Sequence, residues 1–289
     1  MPYQIVTDSC CNLPEDLIDE LGIEILPLTF MVDGVQYQSY LKGQKTDLKQ
    51  FYDMMRDGKV ITTSLPNMAD SEKTLRKILD QGNDVLFLSF PAVLSGTFQS
   101  TELLMKQLAG QYPDRKLIAV DTLCASAGQG LLVMDACKMQ KEGAAIEETA
   151  QYVRDNRDNV AHLVTVDDLM YLFRGGRLSR GSAVAGQLLS IKPVIRVNHE
   201  GALEVVEKIR GRKKALKSLI QRFQDTAVNP ADQTVFIMHA DCLDEAEKMK
   251  AELAEKFGVQ NFVINQLDPV IGAHVGPGTV ALFFMATQK

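Results

Sequence analysis

The chain of 289 residues is short of most signatures that assign a protein at sight. Its first residues, MPYQIVTDSC, lack a basic start followed by a long apolar segment, so no secretory signal is expected. For the same reason Cys10 and Cys11 are not expected as a lipid attachment site. The longest candidate for a membrane span, residues 85–94, holds a proline and falls well short of the roughly 20 residues a span needs. A cytoplasmic protein without membrane insertion is expected. The five cysteines include no C-x-x-C pair, which predicts reduced thiols and neither a disulfide framework nor a zinc cage. Cations are in deficit, 31 Lys and Arg against 37 Asp and Glu, for a net charge of −6. That balance argues against nucleic-acid binding by bulk charge.

Nucleotide and hydrolase motifs are missing too. There is no G-x-x-x-x-G-K-[ST] loop, and GQGLLV at 128–133 lacks the third glycine of a dinucleotide fingerprint. An ATP or NAD site of the chain's own is therefore not expected. The four histidines make no H-E-x-x-H pair, and no G-x-S-x-G elbow occurs.

What is present is a globular pattern. At 46% hydrophobic, the chain has ample material for a core, and its length suits one large domain or two modest ones. Strand-like runs at 3–7, 84–90 and 116–121 alternate with helical spacing, the signature of a mainly parallel sheet covered on both faces. An apolar run at 23–32 leads into Asp33-Gly34, a hairpin signal, and a returning strand at 35–38. Beyond residue 157 the pattern changes, with a hairpin around 199–201 and more antiparallel character. Two domains are expected, 1–157 and 158–289.

Hydroxyls cluster at the expected starts of helices. Thr62, Thr63 and Ser64 precede one, Ser95, Gly96 and Thr97 lie between a strand and another, and Ser126 opens a third. In a parallel sheet the loops at the carboxyl ends of strands line the crevice. A helix start adds unpaired N–H groups and a positive dipole end, which suit a carboxylate or phosphate. Each hydroxyl taken alone reads as a helix cap; three such loops on one crevice point to a site.

The remaining candidates have two readings each. His274, in IGAHVGPGT, is expected on a tight loop, either as a group ionising near neutral pH or as a turn residue. Arg174 and Arg177 flank Gly175-Gly176, with Arg180 close by; they clamp an anion or face solvent. RGRKKALK at 210–217 places five cations at a helix start, against the helix dipole, as a partner surface or a solvated face. His162 reads as a satisfied core histidine and His199 as hairpin surface, while His239 lacks a spaced metal-ligand set.

In order along the chain, VTDSCCNLP, TTSLPN, LSGTFQS, VDTLCASAGQG, LFRGGRLS and HVGPGTVALFF resemble the DegV family, fatty-acid-binding proteins that serve bacterial fatty acid kinase. Two departures fall at the expected pocket mouth: Leu65 where the family more often has Gln, and SFPAVLSGT where it has SSGLSGT. The resemblance implies a two-domain α/β fold. Its N-terminal sheet is mainly parallel with helices on both faces, and its C-terminal α/β domain has a mixed or antiparallel sheet. A lipid tunnel runs between them. It implies that Thr63 and Ser95 hold a long-chain fatty acid's carboxylate, with Gly96, Thr97 and Ser126 in the same group of loops. Arg177 and His274 then assist phosphorylation to acyl-phosphate by a separate ATP-binding kinase subunit, with no cofactor or metal in this chain. The expected partner surface comprises Arg174, Arg180, Arg210, Arg212 and Lys213. The alternative is a small-molecule enzyme similar to the substrate domain of dihydroxyacetone kinases, where a histidine captures a carbonyl. A third class, a DNA-binding regulator using 210–217, is disfavoured by the net charge.

Overall fold

The computed structural model describes residues 2–178 and 191–289. Arg180 lies outside the described residues. The first half runs β1 (Tyr3–Asp8), α1 (Glu15–Leu21), β2 (Glu24–Leu26), β3 (Thr29–Val32), β4 (Val35–Gln38), α2 (Leu48–Arg56) and β5 (Ile61–Ser64). It continues through α3 (Met68–Asp80), β6 (Asp84–Ser89), α4 (Thr97–Ala109), β7 (Leu117–Asp121), α5 (Ala127–Lys141) and α6 (Ile146–Asn156).

Strands β2-β1-β6-β7 make a parallel sheet. Every residue of β6 is buried because both faces are covered. Leu86 and Leu88 pack with Leu132 and Val133 of α5 and Ala150 and Val153 of α6. Val85 and Phe87 pack on the other face with Leu75 and Leu79 of α3 and Leu104 and Leu108 of α4. The apolar run 23–32, expected as one strand, is two. Pro27 interrupts it, since proline has no N–H for the ladder. β2 joins the parallel sheet, and β3 turns away into a small antiparallel sheet, β4-β3-β5. The expected hairpin at Asp33-Gly34 is present, with both residues at positive φ (51° and 82°) as a two-residue turn demands.

The second half runs β8 (Val160–Thr165), α7 (Met170–Arg174), β9 (Ile191–Val197), β10 (Leu203–Arg210), α8 (Arg212–Thr226) and β11 (Thr234–His239). It ends with α9 (Leu243–Phe257), β12 (Asn261–Gln266), α10 (Pro269–Val275) and β13 (Val280–Met285). Its sheet, ordered β10-β9-β8-β13-β11-β12, is antiparallel except for the β11–β12 pair. Leu163, Ile237, Leu282 and Phe284 face Leu219 and Phe223 of α8 and Met249 and Leu253 of α9. Alternation sends Phe236, Met238, Ala281 and Phe283 to the opposite face, where they join the core shared with α5 and β1.

Polar ties cross between the halves. Tyr52 Oη donates to the Leu267 carbonyl at 2.9 Å, and Asn265 Nδ2 donates to the Asn12 carbonyl at 3.1 Å. The Ala125 N–H donates to His162 Nε2 at 3.0 Å. Because Nε2 accepts, the neutral ring carries its proton on Nδ1, which donates to the Val160 carbonyl at 2.9 Å. His162 is the satisfied core histidine expected, and burial pushes its pKa down to about 3. The cysteines of the described residues are free thiols, as expected.

A histidine whose folded pKa lies below its unfolded value is neutral in the native chain while the unfolded chain takes a proton. Stability is therefore lost as pH falls from 6.5 toward about 3. In that window the stability difference between the wild-type chain and His162→Gln shrinks by about 1 kcal/mol per pH unit. Denaturant unfolding across the window measures it. Parallel pH curves for the two proteins would show that the ring does not titrate as its burial requires.

Candidate functional site

A cavity of 440 Å³ lies between the carboxyl ends of the parallel strands and the inner face of the mixed sheet. Its volume is within the range of small-molecule sites, roughly 300–1,000 Å³. Cys10, Phe90 and Ala125 reach it from the loops after β1, β6 and β7, while Val164, Ile195 and Ala281 face it from the mixed sheet. Arg177 supplies the one permanently charged side chain among its described lining residues.

Thr63 and His274 meet at one end, with Thr63 Oγ1 2.8 Å from His274 Nε2. Thr63 was expected just before a helix; it sits in β5, and Asn67 caps the following α3 instead. His274 was expected on a loop and is on α10. The helix begins with Asp268, whose carboxylate accepts from the Ile271 N–H at 2.7 Å, and with Pro269 in its first turn. That Asp-Pro pair is the sequence signal that marks the helix. Gly272 is required because a Cβ there would sit 2.6 Å from Tyr52 Oη.

Neither is His274 an exposed imidazolium. Burial first, then the charge of Arg177, pushes its pKa down to about 4, so the ring is neutral at pH 7. Its Nδ1 is buried with no hydrogen-bond partner. Gly175 makes the fit possible, since a Cβ there would lie 2.2 Å from Nδ1.

Ser95, Gly96 and Arg177 complete this end. Ser95 Oγ lies 2.8 Å from Thr97 Oγ1, and a Cβ on Gly96 would be 3.5 Å from Leu65 Cδ2, so the two hydroxyl-bearing loops adjoin. Thr97 itself is fully buried and does not line the cavity; it holds Ser95 in place. The Arg177 guanidinium is fixed by donating from Nε to the Leu94 carbonyl at 3.0 Å and from Nη1 to the Gly175 carbonyl.

Ser126 lines the cavity but belongs to its other end, beside Ala125 and His162. Its hydroxyl donates to Asn12 Oδ1 at 2.7 Å, and its backbone is strained at φ 53°, ψ −138°. Ser126 thus stands apart from Thr63 and Ser95 within the lining. Arg174 lies outside the cavity, over the Tyr171 ring at 4.8 Å. Arg210 and Lys213 are exposed. Arg212 is not an open partner residue: it grips Glu245 through Nε and Nη2, at 3.0 and 2.6 Å, and Nη2 also donates to the Gly278 carbonyl. Its charge is spent inside the fold.

Sequence reasoning missed the apolar walls. Val164, Ile195, Val197, Ala281 and Phe283 occupy alternate positions of their strands, and that period of two was the available signal. His199 is exposed and pairs with Asp158 at 2.9 Å, as a surface residue. No cluster of His, Cys, Asp or Glu able to hold a metal occurs among the described residues. None of their helices is long and apolar enough to cross a membrane.

Comparison with known proteins places the chain in a family. A DegV domain-containing protein of Clostridium perfringens is 39% identical over 287 residues, spanning 99% of this chain and 98% of its own. A DegV family protein from Thermus thermophilus, described for its fatty acid binding, superposes with a TM-score of 0.88 at 30% identity, covering 99% of this chain and 100% of its own. The fatty acid binding DegV family protein of Streptococcus agalactiae gives 0.85 at 31% identity over the full length of both. The family profile described as uncharacterised protein, DegV family, matches residues 2–287. With the profile matched almost end to end and the same fold in its relatives, the chain belongs to the DegV family.

Proposed function

We propose that the chain binds a long-chain fatty acid in this cavity and presents its carboxylate to a separate kinase subunit for phosphorylation to acyl-phosphate. We further propose that residues 1–157 and 158–289 act as two domains with the acyl chain between them. One observation carries the reading: apolar walls enclose a space whose described lining residues include a single fixed cation, Arg177, beside the hydroxyls of Thr63 and Ser95. That is the complement of a monocarboxylate on a hydrocarbon tail. The solved relatives from Thermus thermophilus and Streptococcus agalactiae, both described as binding fatty acids, support it.

The roles follow from the bonds. A buried carboxylate needs donors, and Thr63 and Ser95 offer O–H groups. With Thr63 donating to the ligand, neutral His274 donates from Nε2 to Thr63 Oγ1 and fixes that hydroxyl's direction. Arg177 offsets the negative charge that accumulates as a phosphoryl group approaches. His274 therefore acts as an orienting donor, not as a second cation. Arg210 and Lys213, exposed on the second half, remain candidates for the kinase-facing surface. A histidine that captures a carbonyl is the weaker reading, because Thr63 already engages His274 Nε2.

Tail burial contributes about 0.8 kcal/mol per methylene before the costs of binding, so the acid is expected to survive purification. Mass spectrometry of an organic extract should recover it in stoichiometric amount. Thr63→Val with Ser95→Ala should lower affinity by roughly a hundredfold to ten-thousandfold, each of the two lost bonds to the carboxylate being worth roughly 1.5–3 kcal/mol. A folded double variant that binds as tightly as wild type would falsify the headgroup assignment.

Arg177→Ala and His274→Ala should retain the ligand but lose roughly a hundredfold in acyl-phosphate formation with a cognate kinase and ATP. Loaded variants that turn over like wild type would remove both residues from the phosphotransfer step. Turnover by this chain with ATP alone would overturn the need for a partner.

A further inference from the structure

The two ends of the cavity are built differently. Along β8 and β13 the register pairs Thr165 with Val280, near the segments that carry Arg177 and His274. Three residues further, roughly 10 Å along the strands, it pairs His162 with Phe283. Both of these side chains line the cavity, and their rings meet edge to face with centroids 5.4 Å apart and planes at 83°. This pair lines the cavity away from the Arg177–His274 end, beside Val197.

Such a wall yields only if its members have somewhere to go, and these do not. His162 is bonded through both ring nitrogens, to the Val160 carbonyl and the Ala125 N–H. Behind it stands α5, approached so closely that a Cβ on Gly128 would lie 2.1 Å from His162 Nε2. Phe283 is 2% exposed and sits in mid-sheet, paired with Phe236 on the other side. Protein interiors packed this way give little. Elsewhere the lining is mostly aliphatic, Leu172, Ile195 and Val270 among it.

We propose that the His162–Phe283 pair is the stop that sets the length of acyl chain accepted, and that Gly128 sets the depth of the stop. The proposal rests on the fatty-acid reading above. Phe283→Leu removes ring volume from the stop, whereas Gly128→Ala drives the imidazole toward the cavity. The two substitutions therefore move the limit in opposite directions, which a general loss of packing does not.

The test uses the full chain, stripped of lipid, and displacement of a fluorescent fatty acid by saturated acids from decanoic to eicosanoic. Affinity of the wild-type chain should rise with length and then break at one acid. In Phe283→Leu the break should move to a longer acid by one methylene or more, and in Gly128→Ala to a shorter one. Circular dichroism and thermal unfolding establish that each variant is folded; where Gly128→Ala is not, Phe283→Leu decides alone. A folded Phe283→Leu whose break stays at the wild-type acid overturns the stop, even if its affinities fall uniformly. A wild-type chain that takes no acid of any length overturns the fatty-acid reading, and the stop with it.

Discussion

Removing water from the space between the two sheets is the constraint from which the chemistry of the site follows. The mixed sheet carries α8 and α9 on one face, so its other face must find apolar cover, and α5 with the loops at the carboxyl ends of the parallel strands supplies it. In that dry interval an ionised group is costly. Burial accordingly holds His162 and His274 neutral. It also holds the Cys10 thiol well above its usual range and so protonated. Among the described lining residues Arg177 alone stays charged, since a guanidinium keeps its proton in proteins. Its carbonyl partners, Leu94 and Gly175, belong to the very loops that form the mouth.

The carboxylates under the cavity obey the same rule. Asp8 is fully buried at the end of β1 and accepts from the Cys10 and Phe90 N–H groups at 3.1 and 2.8 Å. One side chain thus fixes the loops after β1 and β6, both of which line the cavity. Desolvation lifts its pKa to about 6, with those hydrogen bonds opposing the rise. Asp268 caps the helix that carries His274 and is lifted to about 7 by burial. These acids shape the site from behind; neither supplies it with a donor.

The parallel sheet was legible because β1, β6 and β7 are short apolar runs separated by helical periodicity, and both signals are local. The hairpin at 33–34 was legible for the same reason. The site was legible in part. Clustered hydroxyls marked Thr63 and Ser95, but composition does not say whether a hydroxyl ends a strand or caps a helix, and Thr63 is in a strand. The α10 helix is only seven residues long with a glycine inside it, too short for a periodic signal. Arg212 reads as part of an exposed basic run because its partner, Glu245, is 33 residues away. Ser126 reads as one of the same group of hydroxyl loops because nothing local reveals that its loop meets β8 through His162. What escaped in each case was a contact made across the chain.

A cavity of this size also bears on how the ligand is handled. Cavities cost about 24 cal/mol per Å³, so filling 440 Å³ of apolar space recovers on the order of 10 kcal/mol. That rivals the whole stability of a typical domain, about 5–15 kcal/mol. On the proposed function, the acyl tail is then part of the protein's core, and its withdrawal is an expensive step. Chemistry at the carboxylate avoids that step. On the same proposal, a headgroup held where Thr63, Ser95 and Arg177 gather is converted while the tail remains packed against the mixed sheet. The division between a polar, loop-built mouth and a rigid, strand-built interior is what presentation without release requires.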